Sequence, residues 1–70
     1  MRDNGYLKQL GSKVKSVRMS KGITVRALGE MCEIDYSNYS RFESGRKNIC
    51  ILTLLKIAEQ LDVDVKDFLL

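Results

Sequence analysis

Glu33-Ile34-Asp35-Tyr36-Ser37-Asn38-Tyr39-Ser40-Arg41-Phe42-Glu43-Ser44-Gly45 is the stretch on which the reading of this 70-residue chain turns. Its spacing predicts a short helix with two unlike faces. Ile34, Tyr39 and Phe42 fall on one side and call for a core. Tyr36, Ser37, Ser40 and Arg41, at i, i+1, i+4 and i+5, form a row of hydrogen-bonding side chains on the other. Asp35 suits the N-cap, because its carboxylate can accept from the free N–H groups of the first turn. Gly45 suits the end, because it adopts positive φ without a Cβ clash. A capped helix with one polar face is the form that reading a major groove requires.

Outward from this stretch the chain divides into further helices. Leu7, Leu10, Val14 and Val17 give an amphipathic helix over Tyr6–Ser20, closed by Lys21-Gly22 with Gly22 left-handed. Thr24 caps a second helix, Val25–Met31, with Ala27, Leu28 and Met31 on its buried face. Gly29, inside it, implies close approach of another helix. Ile51–Gln60 is the fourth, with Ile51, Leu54, Leu55, Ala58 and Leu61 facing the core, Ile57 beside them, and Lys56 and Glu59 in water. Asp64 caps a last short helix, Val65–Leu69, and Val63, Phe68 and Leu69 pack back on the bundle. The fold class expected is all-α, a compact five-helix domain over residues 6–70, preceded by a flexible arm over residues 1–5.

Composition narrows the function. Seventy residues bury only about 60% of their unfolded surface, which leaves room for one core. Histidine is absent from the sequence. No metal constellation, glycine-rich phosphate loop or nucleophile–base pair stands in its place, so an enzyme is not expected, nor a cofactor, a metal or a small-molecule ligand. Residues 1–48 carry ten Lys/Arg against five Asp/Glu, or +5; residues 49–70 carry two against four, or −2. That asymmetry suits a nucleic acid on one face; the alternative is a solvated basic surface. Cys32 and Cys50 both lie in apolar surroundings by pattern. Buried reduced thiols are therefore expected, in keeping with a cytoplasmic protein. No apolar run has the length of a membrane span, and no signal-peptide core is present.

With these pieces in order, the chain resembles the lambda-repressor/Cro-type helix-turn-helix domain, also called the xenobiotic-response-element family. The resemblance runs from about Leu10 to Phe68. It is carried most specifically by Tyr39-Ser40-Arg41-Phe42-Glu43-Ser44-Gly45-Arg46-Lys47-Asn48 and by Thr53-Leu54-Leu55-Lys56-Ile57-Ala58. It implies a partner, double-stranded DNA, and a role in transcriptional regulation like that of stand-alone phage-type repressors, antitoxins and restriction–modification controllers. Tyr36, Ser37, Ser40 and Arg41 take the base-contacting side. Thr24, Arg26, Asn38, Arg46, Lys47 and Asn48 take the phosphate backbone. Arg18 aligns with a buried arginine that pairs with the glutamate at position 43. The chain departs from the family at Val25, where glutamine is common, at Gly29, where alanine is usual, at Glu33, where glycine is usual, and at Ile49, where proline is frequent.

Alternatives accompany these roles. Arg41 can fork onto guanine O6 and N7 or bond a phosphate. Ser37 can meet a base or a phosphate. Tyr36 can touch a thymine methyl, bond a phosphate or simply stand exposed. Ile49, Leu52, Val65 and Leu70 exceed what one small core needs. A homodimer interface formed by Leu52, Val65, Leu69 and Leu70 is the expectation; the alternative is a monomer with scattered aliphatics. An interaction adaptor or antitoxin-like module that keeps the fold without specific DNA readout is the second functional class.

Overall fold

The computed structural model describes residues 4–69, as five helices. They are α1 (Asn4–Ser20), α2 (Val25–Met31), α3 (Tyr36–Glu43), α4 (Ile51–Leu61) and α5 (Lys66–Leu69). Residues 1–3, most of the expected arm, lie outside the described residues, while Asn4 and Gly5 already belong to α1. Every helix boundary lies within two residues of the expectation. Asp64 holds the start of α5 through its backbone carbonyl, which accepts from Asp67 N–H at 3.0 Å.

The first four helices end in the same way. After each comes a left-handed residue, then a residue whose N–H reaches back to close the last turn. Gly22 (φ 73°) and Gly45 (φ 81°) fill that place after α1 and α3, as their freedom from a Cβ allows. Glu33 (φ 60°) and Asp62 (φ 61°) fill it after α2 and α4. The reaching bonds run from Ile23 to Arg18, Ile34 to Gly29, Arg46 to Arg41 and Val63 to Ala58. In three of the four the reaching residue is aliphatic and packs against the core, which fixes the direction of the next segment. A side chain other than glycine in the left-handed region costs about 1–2 kcal/mol, less for aspartate, which tolerates it better.

Val14, Leu28, Tyr39, Phe42, Ile57 and Leu61 form the fully enclosed centre, with Leu54, Ala58 and Phe68 around them. Several expected core positions fall elsewhere. In α4 the buried set is Leu54, Ile57, Ala58 and Leu61, whereas Ile51 and Leu55 are exposed. The apolar arc of this helix is wider than the core it meets, so periodicity alone does not say which edge is covered. Met31 is exposed and Leu28 and Gly29 take its place in α2. Leu69 is exposed, while Ile49 and Val65 lean on the core rather than standing free. Gly29 makes room for the Ile34 carbonyl, 3.1 Å from where a Cβ would sit, so the close approach is the turn of its own motif and not another helix.

Gly11 makes the closer interhelical approach. A Cβ there would lie 2.5 Å from the carbonyl oxygens of both Phe42 and Glu43. α1 therefore rests directly on the last turn of α3, which sets the height at which α3 stands out of the domain.

A candidate nucleic-acid interface

α3 is held from both ends. Asp35 Oδ2 accepts from the Ser37 and Asn38 backbone N–H groups at 3.1 and 3.4 Å and from the Ser37 hydroxyl at 2.6 Å. The Ser37 hydroxyl bond, then the Asn38 N–H, hold the Asp35 carboxyl below its usual range, with Arg41 adding a smaller attraction. At the other end Glu43 is locked from beneath. Arg18 Nε and Nη2 donate to its two carboxylate oxygens at 2.6 and 3.1 Å, and the Tyr39 hydroxyl donates to Oε2. Arg18 also donates from Nη1 to the Ile23 carbonyl at 2.6 Å, tying in the loop before α2. The pair is enclosed, with side chains 9% and 6% exposed. Its bonds with Glu43 raise the Arg18 guanidinium further above its ordinary value. Burial, then the bond to Glu43, pushes the Tyr39 hydroxyl up, so Tyr39 stays a neutral donor.

With its inner side fixed, α3 turns Ser37 and Arg41 outward, both exposed. Arg41 is in no ion pair among the described residues. Ser37 spends its proton on Asp35, so toward a ligand it presents lone pairs rather than a donor. Tyr36 is half exposed and its ring lies under the Arg26 guanidinium, 4.7 Å from the centroid. Arg26 and Tyr36, one from each helix of the motif, thus form a stacked unit. Ser40 and Asn38 are half-buried on the two flanks.

The remaining polar residues are placed by backbone geometry. Thr24 Oγ1 accepts from Ala27 N–H at 3.0 Å and keeps its own proton free at the start of α2. Asn48 Oδ1 accepts from Ile49 N–H at 2.9 Å, which leaves its amide N–H groups available. Arg46 and Lys47 follow directly on the turn at Gly45. Thr24 and Arg26 at the start of α2, Asn38 and Arg41 on α3, and Arg46, Lys47 and Asn48 in the loop after α3 supply the donors.

Two features were not anticipated. Cys50 is exposed, not buried; it precedes α4, where its sulfur lies 3.2 Å from the Thr53 hydroxyl, and that contact holds its thiol below the ordinary value. Cys32 is buried as expected, and burial pushes its thiol up. Of the set expected for an interface, Leu52 and Leu69 are exposed, and Ile51 and Leu55 were not expected to be. Ile51, Leu52 and Leu55 share one flank of α4; Val65 is partly covered, and Leu70 lies outside the described residues.

A five-helix bundle whose second and third helices are joined by a tight left-handed turn is a helix-turn-helix domain. Residues 14–68 match the HTH_3 helix-turn-helix family, and the chain belongs to that family. It is 29% identical over 59 residues to an uncharacterized HTH-type transcriptional regulator of Rickettsia conorii, a match covering 84% of this chain and 47% of that one. The chain thus spans about half the length of the curated relatives it matches. Among solved structures it is similar to the restriction-modification controller protein C.AhdI from Aeromonas hydrophila (TM-score 0.88, 25% identity, covering 91% of this chain and 97% of that chain). It is also similar to the clp gene regulator ClgR from Corynebacterium glutamicum (TM-score 0.85, 32% identity, 89% and 80% covered).

Proposed function

We propose that this protein binds double-stranded DNA sequence-specifically and regulates transcription by occupying its site, with α3 in the major groove. The observation that carries the reading is the contrast across α3. Its inner side is fixed by Asp35 and by the Arg18–Glu43 pair, while Arg41 on its outer side has no ion-pair partner among the described residues. Relatives named as transcriptional regulators and gene regulators support it. Arg41 is the principal base reader, with Ser37 accepting from an exposed base amino group and Tyr36 at the edge of the groove. Thr24, Arg26, Asn38, Arg46, Lys47 and Asn48 set register on the phosphates.

The protein acts as a homodimer in this reading. The stripe of Ile51, Leu52 and Leu55 offers one copy an apolar surface for another. The domain measures about 33 × 24 × 21 Å, so two copies related by a two-fold axis can set their α3 helices one helical turn of DNA apart, about 34 Å.

The test is the affinity for a duplex pool as salt is raised. Each neutralised phosphate contributes about −0.9 to the log–log slope, so several backbone contacts give a steep negative slope. Weak retention that does not change with salt would contradict DNA binding and favour the adaptor alternative.

A further inference from the structure

The outer side of α1 and the end of α5 frame an open groove of about 700 Å³. Tyr6 and Leu10 from α1 and Phe68 and Leu69 from α5 form its apolar walls. Tyr6 is 68% and Leu69 56% exposed, although both are large and apolar. Between the walls Gln9, Ser12 and Ser16, at i, i+3 and i+7, present no bulky apolar group, so a channel runs along the helix. From Tyr6 to Ser16 it follows about 15 Å of α1, the length of roughly three turns of another helix. Walls this exposed do not enclose a small molecule, which a pocket buries by about 70–90%.

Charge chooses the occupant. Lys8 and Lys13 line the groove, both exposed, and neither is in an ion pair among the described residues. No carboxylate among the described residues lines it, and Lys66 and Asp67 on α5 offset one another. A second copy seated here by a two-fold axis would set lysines against lysines, which costs affinity. An acidic partner satisfies both the apolar walls and the lysines. The groove is also turned away from the reading helix. Gly11 faces α3, whereas Gln9 and Ser16 stand about 140–160° round α1 from it. A duplex on α3 therefore leaves the groove open.

We infer that this groove docks an acidic amphipathic helix of a partner protein. Apolar residues of that helix at i, i+3, i+4 and i+7 lie between Tyr6 and Leu69, and flanking Asp or Glu residues meet Lys8 and Lys13. The inference goes beyond the DNA-binding reading. It gives the domain a second face, through which a partner is held while α3 engages a duplex.

The experiment selects peptides from a displayed random library on the whole chain. The enriched peptide, fluorescently labelled, is then titrated with wild type, Tyr6→Ser and Lys13→Glu. Melting curves confirm that both variants fold, as expected at exposed positions. Enriched peptides should share apolar residues three and four apart, flanked by Asp or Glu. Each variant should weaken binding on the order of tenfold. Exchanging one acidic residue of the peptide for lysine should restore binding to Lys13→Glu and not to Tyr6→Ser. A bound duplex should stay bound at saturating peptide. No enriched peptide, peptides without acidic residues, or binding that neither variant weakens overturns the inference. Loss of self-association in Tyr6→Ser, read by sedimentation equilibrium, assigns the groove to a second copy and overturns the partner. Displacement of the duplex by the peptide puts the groove on the DNA side and overturns the second face. Variant-sensitive peptide binding by a protein that retains no duplex supports the docking and defeats the DNA reading alone.

Discussion

α3 and α4 each bury one face in the same core, yet what they leave outside differs. α3 exposes Ser37 and Arg41 and sets a stacked Tyr36 beside them; α4 exposes Ile51, Leu52 and Leu55. The inner side of α3 is also polar, since Glu43 sits within the core with two partners. Hydrophobic burial is non-directional, whereas a forked ion pair fixes an angle. α4 is placed by apolar packing and ends in an apolar flank suited to protein. α3 is placed by geometry and ends in a polar flank suited to a hydrogen-bonded partner.

The largest effect should come from breaking the lock under α3. Glu43→Ala leaves the Arg18 guanidinium buried without its partner, a loss of about 3–5 kcal/mol. A domain of this size is stable by roughly 4–10 kcal/mol, so the variant should lose between about a third and all of its stability. Urea titration followed by circular dichroism reads this directly. A loss under 1 kcal/mol would mean that apolar contacts place α3 as they place α4, and the comparison would fail.

On the α4 side, Leu52→Glu should leave the melting temperature within a few degrees of wild type, because Leu52 is 72% exposed. Sedimentation equilibrium should show the protein shifted to monomer, with weaker binding to a two-half-site duplex. An unchanged dimer would place the interface elsewhere, with the groove between α1 and α5 at Tyr6, Leu10, Phe68 and Leu69 the next surface to test.

A smaller effect separates the two turns. Glu33→Gly removes left-handed strain between α2 and α3, offset by the freedom glycine gains when unfolded, for a net gain of up to about 1 kcal/mol. The 3.7 Å contact from Lys56 to Glu33 is exposed and subtracts little. Thermal denaturation showing destabilisation would mean that this turn draws support from the Glu33 side chain.

The smallest is a pH effect at the exposed cap. Asp35 titrates lower when folded than when unfolded. Its contribution is therefore complete above the ordinary carboxylate range and is lost as pH falls through the depressed folded value. Asp35→Asn should lower the melting temperature near neutral pH, and the gap from wild type should close on acidification. A constant gap would point to shape rather than charge as the source of the cap.

How much of this was legible in the sequence follows from what kind of constraint each residue obeys. Asp35, Thr24, Gly22 and Gly45 act through neighbours one turn away, so spacing reveals them. Tyr39 and Phe42 are large and have one face available. The Arg18–Glu43 pair spans 25 positions and entered through family resemblance, since no local signal joins residues so far apart. The covered edge of α4, the exposure of Met31 and Cys50 and the seat made by Gly11 depend on where other helices lie. A glycine inside α1 was the available sign of close packing there, as Gly29 was in α2.

Selection from a random duplex pool near physiological salt, run in parallel with wild type and Arg41→Ala, tests the central claim most directly. A two-fold symmetric motif that loses a guanine preference in the variant, at a cost of about 1–3 kcal/mol on the original site and with no loss of folding stability, is the expected result. A motif that Arg41→Ala leaves intact, or no enriched motif at all, would contradict the assignment of the outer face of α3 to base reading.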